Sequence, residues 1–546
     1  MKNITIMAAE QKSNNCLEGC DNSVADSYIN FQSNIDYCLE DAKMRSNTPS
    51  FITELPLKTT SADEAIILVR LDAGRQLYHA CLGEALKRLA RIQQSKEYQE
   101  IQKLSKTING KPNKERTKAF NELNKKEGFT DYDIQHYATG IRNSWMEEHI
   151  HAHIAQKLAL RAFNAVQKKA FGKAKNVRFK GKNQMDSLEG KNNETGLIFR
   201  GNSLYWSGLE IPCIIDPKNA VIAYGLKHNV KYCRIIRRKI NGKNRFYLQL
   251  ICEGIPFQNP KNKIGTEEIG LDVGVGTIAM VADTKATLKQ FCSELMPDQK
   301  KKRKLQRKLD RSLRATNPDN YNKNGTVKKG KKFKKSNRYK TISQDLAETD
   351  RILAAHRKSL YGKDINEIIS MGTRIQTEDV SYKGWQKRYG RSIGIRAPSM
   401  FMNSLKRKAE NAGGYLFEFP TPTTKLSQIC HICEQAVKKP LSKRWHICCG
   451  IEMQRDLYSA FLAKCIGKET NALDLVRVKD LWQGLESILS DAISRAKQTA
   501  IGKVCPTSFG FKGIQSQSGS LVNPIRINSE AMDAVIPLDE SHRELI

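Results

Sequence analysis

Residues 268–283 read EIGLDVGVGTIAMVAD, an apolar stretch interrupted within by one carboxylate and by Gly274-Val275-Gly276. The pattern predicts two buried strands joined at those glycines. It leaves Asp272 inside an apolar strand, where a charge is costly unless it is paired or binds a metal. Two more acids sit at element ends: Glu378 closes the strand-like RIQTEDV, and Asp456 opens the helix-like QRDLYSAFLA. One acid at such a place is commonly a cap or a salt bridge. Three together can hold two hard divalent cations about 3.5–4 Å apart, one activating water and one stabilising a leaving oxygen. Mg²⁺ suits such oxygen ligands. Asp379, beside Glu378, is expected on the opposite face of its strand.

Fourteen cysteines occur in the chain. Most stand singly, as in a reduced intracellular protein. Cys430, Cys433, Cys448 and Cys449 are bunched as CHIC…WHICCG, and bound Zn²⁺ is favoured over four metal-free thiols. The second pair has no spacer, and adjacent strand residues face opposite ways. Both sulfurs can ligate only if the chain turns there, which Gly450 would permit; otherwise His446 or His431 is the substitute donor.

Lys and Arg number 91 against 57 Asp and Glu, a formal charge of +34. Such an imbalance costs stability through self-repulsion and points to a polyanionic partner, nucleic acid first. Nearly half the excess lies in Lys300–Lys340, where 18 cations face only Asp310 and Asp319. Leu305, Leu309 and Leu313 predict a helix with one thin apolar seam and basic sides, carrying Lys301, Arg303, Lys304, Arg307, Lys308 and Arg311. A turn-rich, loose segment with Lys328, Lys329, Lys331 and Lys332 is expected to follow. Arg237 and Arg238 load a β-hairpin with positive charge, and all twelve are candidate phosphate contacts. Trp385, Tyr389 and Phe401 lie among basic residues, and either base stacking or core packing accounts for them.

No apolar run approaches the roughly 20 residues of a membrane helix. The opening MKNITIMAAEQKSNN lacks the apolar core of a signal peptide, so a cytoplasmic protein, at the nucleoid when DNA-bound, is expected. Residues 1–50 read as a poorly ordered leader and 501–546 as a loose tail. Ser61 and Glu64 fit a capping box before a long amphipathic helix, and residues 61–172 read as all-helical. Turns at Gly201-Asn202 and Asn241-Gly242 predict two hairpins in a small β domain.

GLDVGVG around Asp272, TEDVSYKGW around Glu378, the cysteine cluster and QRDLYSAFLA around Asp456 together resemble the TnpB proteins, OrfB products of bacterial insertion sequences related to type V CRISPR effector nucleases. They match that family's RuvC-I, RuvC-II, zinc-ribbon and RuvC-III motifs in order, and LDAGRQLYHACLGEAL resembles its first recognition helix. The resemblance implies a multidomain α+β protein. Residues 51–60 and 173–262 would form a β-barrel wedge domain, and 61–172 a helical recognition domain. Residues 263–429 and 451–500 would form an RNase H-like (RuvC) α/β nuclease, with 430–450 its inserted zinc ribbon. It implies an RNA-guided endonuclease that cuts double-stranded DNA beside a short flanking motif. Asp272, Glu378 and Asp456 would be its catalytic ligands of two Mg²⁺, the cysteines would hold structural Zn²⁺, and a guide RNA would be its partner. The alternatives are a nuclease-inactive, RNA-guided regulator of a mobile element, and a type V CRISPR effector of the same descent. A junction-resolving nuclease without RNA fits poorly with the extra domains and the charge.

Overall fold

The computed structural model describes residues 49–440, 442–500 and 509–511. The leader, apart from its last residues, and most of the tail lie outside the described residues. The chain forms two compact units: one runs to Lys263 and takes in Glu294–Asn366 and Asn411–Gly413, and the other holds Ile264–Ser293, Glu367–Glu410 and the chain from Gly414.

In the first unit, the long helix Ser61–Gln94 buries Ile67, Leu71, Leu77, Cys81, Leu82, Leu89 and Ile92 on one stripe. Helix Ala152–Ala170 packs against it. Its capping box sits one residue earlier than Ser61/Glu64: the Thr60 hydroxyl accepts from the Asp63 N–H, and Asp63 accepts from the Thr60 N–H. Both overlapping patterns fit the motif, and the β-region backbone at Thr60 decides between them.

Four antiparallel strands form its larger sheet, in the order Ser50–Pro56, Lys243–Glu253, Val230–Ile240, Ser187–Glu189. Asn241 and Gly242 turn the central hairpin with φ of 50° and 77°, the positive pair that a two-residue hairpin turn demands. Gly201-Asn202 does the same between Leu197–Arg200 and Ser203–Trp206, with Leu209–Pro212 completing a three-stranded sheet.

The basic segment is a helical hairpin. Leu309 and Leu313 of helix Met296–Thr316 are buried against Tyr339, Ile342 and Leu346 of helix Asn337–Met371. The connection is tied rather than loose. The Asn317 amide donates to the Leu313 and Lys334 carbonyls and accepts from the Lys334 N–H, and the Asn320 amide donates to the Lys332 carbonyl.

The second unit is built on a five-stranded mixed sheet, ordered Ala286–Gln290, Thr277–Val281, Glu268–Val273, Arg374–Asp379, Tyr415–Pro420. The first three are antiparallel neighbours, and the last two add in parallel. Helix Arg455–Lys464 lies on this sheet, burying Leu457, Phe461 and Leu462 in a core that includes Ala279, Val281 and Phe419. Gly270 makes that approach possible: a Cβ there would stand 1.8 Å from the Ala460 carbonyl oxygen and 2.6 Å from the Lys464 nitrogen. Among the described residues, no helix is long and apolar enough to cross a membrane.

Candidate active site and metal centre

Side-chain alternation brings the three acids together. Gly270 faces helix Arg455–Lys464, so Asp272, two residues on, faces the same way. Asp456 is one helical turn before Ala460, so the rise along helix and strand, about 6 Å in each, carries Asp456 back over Asp272. On the neighbouring parallel strand Gln376 pairs with Gly270. In its satisfied orientation the Gln376 amide donates to the carbonyls of Ala463 and Ile466, so Gln376 faces the same helix. Glu378, two residues further, therefore shares the Asp272 face, and Asp379 faces away.

The Thr277 hydroxyl donates to Asp456 Oδ2 at 2.9 Å, and Arg455 Nε stands 3.6 Å from Oδ1. Gln454 caps the helix, its Oε1 accepting from the N–H groups of Asp456 and Leu457. Burial, then the charges of Asp456 and Glu378, hold Asp272 well above the usual carboxylate range, while Arg455 and Arg444 pull it back. Burial raises Glu378 to about 7. Two acids thus resist ionisation unless positive charge is supplied, the condition a divalent cation meets. The donors are all hard oxygens, which fits Mg²⁺. Among the described residues only the cysteine cluster gathers three or more metal-ligating atoms within 4.8 Å of one another. The three carboxylates do not meet that limit.

The cysteine sulfurs of residues 430, 433, 448 and 449 all lie within that limit. A tetrahedral ion with sulfur at about 2.3 Å needs sulfurs about 3.8 Å apart. Cys433 and Cys448 are separated by 3.7 Å, and Cys448 and Cys449 by 3.6 Å. The adjacent pair shares one centre because Cys449 and Gly450 turn with φ of 50° and 79°. Neither histidine belongs to the cluster: His431 Nδ1 pairs with the Tyr458 hydroxyl at 2.8 Å, and His446 Nδ1 with Lys439 Nζ at 2.6 Å. The Gln435 N–H and the neighbouring thiols draw Cys433 down to about 7. The residues fit Zn²⁺.

Of the basic residues, Lys301, Lys304, Arg307, Lys308, Arg311, Lys328, Lys329, Lys331 and Lys332 are exposed, and Arg303 is half-buried. Arg237 corrects the sequence expectation. It is 4% exposed, and its guanidinium is committed to Asp186 Oδ1 and the Asn183 carbonyl. Arg238 is likewise engaged, bonded to both Glu54 oxygens and lying 4.6 Å over the Tyr247 ring. Phe401 is core, edge-on to Phe291 at 5.1 Å, whereas Trp385 and Tyr389 are half-buried. Thr277, Gln376 and Arg455 were not among the expected site residues. No local pattern in the sequence marks them, Gln376 standing in the largely polar RIQTED.

No protein-family model and no curated protein matches the chain. Among solved structures it is similar to a cryo-EM structure of a Cas12f1–sgRNA–target DNA complex, with 14% identity over 76% of this chain and 98% of that one, at a TM-score of 0.39. It is also similar to a cryo-EM structure of a CRISPR-Cas12f ternary complex, with 14% identity over 73% and 82%, at a TM-score of 0.26. At this distance, function rests on the residues themselves.

Proposed function

We propose that the protein is an RNA-guided DNA endonuclease of the TnpB and type V kind, with Asp272, Glu378 and Asp456 as its catalytic acids. The observation that carries this reading is their common face: matching positions on two parallel strands, beneath the first turn of one helix. Mg²⁺ held by these acids would supply the activated water and the charge that offsets the leaving oxygen. The chain's own part is to fix the acids. Thr277 anchors one Asp456 oxygen, Gln376 ties its strand to the end of the helix, and Gly270 lets helix and strand meet. Arg455 and Arg444, near Asp272, favour its ionised form. The four cysteines would hold a structural Zn²⁺, since four thiolates leave no open position for chemistry. The hairpin that carries Cys448 and Cys449, Trp445–Cys448 with Ile451–Gln454, runs directly into the helix that bears Asp456.

The exposed cations of the 296–340 hairpin supply phosphate contacts for a guide RNA and its DNA target. Base pairing would read the target, and the protein would read shape and a short flanking motif. Sequencing the RNA that co-purifies with the protein tests this. Replacing its guide segment should redirect cleavage to the new matching duplex. Protein isolated free of RNA, or cleavage indifferent to the guide, would overturn the reading.

A further inference from the structure

Residues 171–184, FGKAKNVRFKGKNQ, contain five cations and no acid. They connect the helix Ala152–Ala170 to the strand Ser187–Glu189 of the first unit. Lys173, Lys175, Arg178 and Lys182 are exposed, and none of them forms an ion pair among the described residues. Two aromatic rings stand out among them: Phe171 is 68% exposed and Phe179 52%. Apolar rings left in water beside unpaired cations are hard to explain as core or as a solvated face.

The segment is also held in place. The His79 ring meets Phe179 edge-on at 5.1 Å, and its Nε2 accepts from the Lys180 N–H at 2.8 Å. The Gly181 N–H donates to the Gln184 side chain at 2.7 Å. Arg237, buried in the neighbouring sheet, grips the far end through the Asn183 and Met185 carbonyls and Asp186. The arginine that looks like a phosphate contact instead positions a loop that is rich in exposed cations.

We infer that residues 171–182 form a stacking platform for unpaired nucleotides of a bound RNA, with Phe171 and Phe179 under bases and the flanking Lys and Arg on phosphates. The chemistry is that of single-strand binding: every base has a π-face, and the backbone needs cations alongside. RNA is the occupant because its loops and ends offer unstacked bases, whereas the bases of a DNA duplex are stacked until it is opened. The inference rests on the RNA-guided reading, but its test needs neither cleavage nor a guide.

Binding of the full-length protein, freed of nucleic acid, to labelled U20 RNA, to a 20-base-pair RNA duplex and to dT20 would be measured against salt. Phe171→Leu and Phe179→Leu keep apolar bulk but remove the ring, and each should weaken U20 binding by about tenfold while leaving duplex binding within about twofold. The salt slope should not move in either. Joint replacement of Lys173, Lys175, Arg178 and Lys182 by Gln should flatten the U20 slope by up to about 3, at roughly 0.7 per phosphate contact. Phe171 has no ring partner among the described residues, so Phe171→Leu reads binding even if Phe179→Leu disturbs the loop. Unchanged U20 affinity in Phe171→Leu, equal losses on the duplex, or a loss confined to dT20 would each overturn the inference. Loss of U20 binding in a protein that cuts nothing would leave it standing and sink the nuclease reading alone.

Discussion

Gly270→Ala tests the geometry of the site without touching an acid. The new Cβ would stand 1.8 Å from the Ala460 carbonyl oxygen and 2.6 Å from the Lys464 nitrogen. Both are backbone atoms of the helix, so no side chain can swing aside. Restoring an ordinary contact of about 3.5 Å requires strand and helix to part by roughly 1.5 Å. Overpacking of this kind costs about 1–3 kcal/mol, and the tightness here argues for the upper end. The same movement carries Asp456 away from Asp272 and Glu378. A misplacement of about 1 Å can cost 10²-fold in rate, so single-turnover cleavage in Mg²⁺ should fall by at least about that factor. RNA affinity should stay near that of the parent. Gly276→Ala is the control: nothing lies within 4 Å of its added methyl, and it should keep rate and thermal midpoint. If Gly270→Ala cleaves at the parent rate with an unshifted midpoint, the helix is not seated on that strand and the convergence of the acids fails with it.

Four further outcomes are expected. Cys430→Ser and Cys449→Ser should each lose a stoichiometric Zn²⁺ by elemental analysis, whereas His446→Ala should retain it, since His446 faces Lys439 and not the sulfurs. In chelator, the folded-state rise of Glu378 from its ordinary value near 4.5 to about 7 makes the native state bind the proton more tightly than the unfolded one. The contribution is therefore full below about 4.5 and lost as pH rises through about 7, so the unfolding midpoint should fall across that window, and Glu378→Gln should flatten the fall. Gln at Lys328, Lys329, Lys331 and Lys332 should reduce the salt slope of duplex binding by up to about 3.6 at unchanged stability. Arg237→Gln should instead lower stability by about 2–3 kcal/mol, measured by denaturant unfolding, because it strips charged hydrogen bonds from Asp186 and two carbonyls.

What the sequence reveals follows from how local each determinant is. The Asn241-Gly242 turn is legible because positive φ at both positions is a property of those two residues. Asp272 is conspicuous because an acid in an apolar strand demands a reason. The Cys448-Cys449 pair is half legible: Gly450 hints at a turn, but only the fold gives Cys449 its left-handed backbone. Arg237 misleads because its partner Asp186 lies 51 residues away and the alternation of a hairpin does not say which face is covered. Phe401 is ambiguous for the same reason, its partner Phe291 being distant in sequence. The connection of the basic hairpin reads as loose because turn-forming asparagines mark both mobile and tied loops; Asn317 and Asn320 tie this one. Thr277 and Gln376 are quiet in sequence, since their roles exist only once helix Arg455–Lys464 lies across the sheet.

Asp272, Glu378 and Asp456 are proposed to act as one metal-dependent site. The most direct measurement is the cleavage rate of a guide-matched DNA duplex by the RNA-bound parent, Asp272→Ala and Asp379→Ala, each with Mg²⁺ and with chelator. Asp272→Ala should lose at least about 10²–10³ in rate with RNA and target still bound. Chelator should reproduce that loss in the parent, and Asp379→Ala, on the opposite face, should keep most activity. Near-parent cleavage by Asp272→Ala, or loss in Asp379→Ala to the same depth, would contradict that proposal.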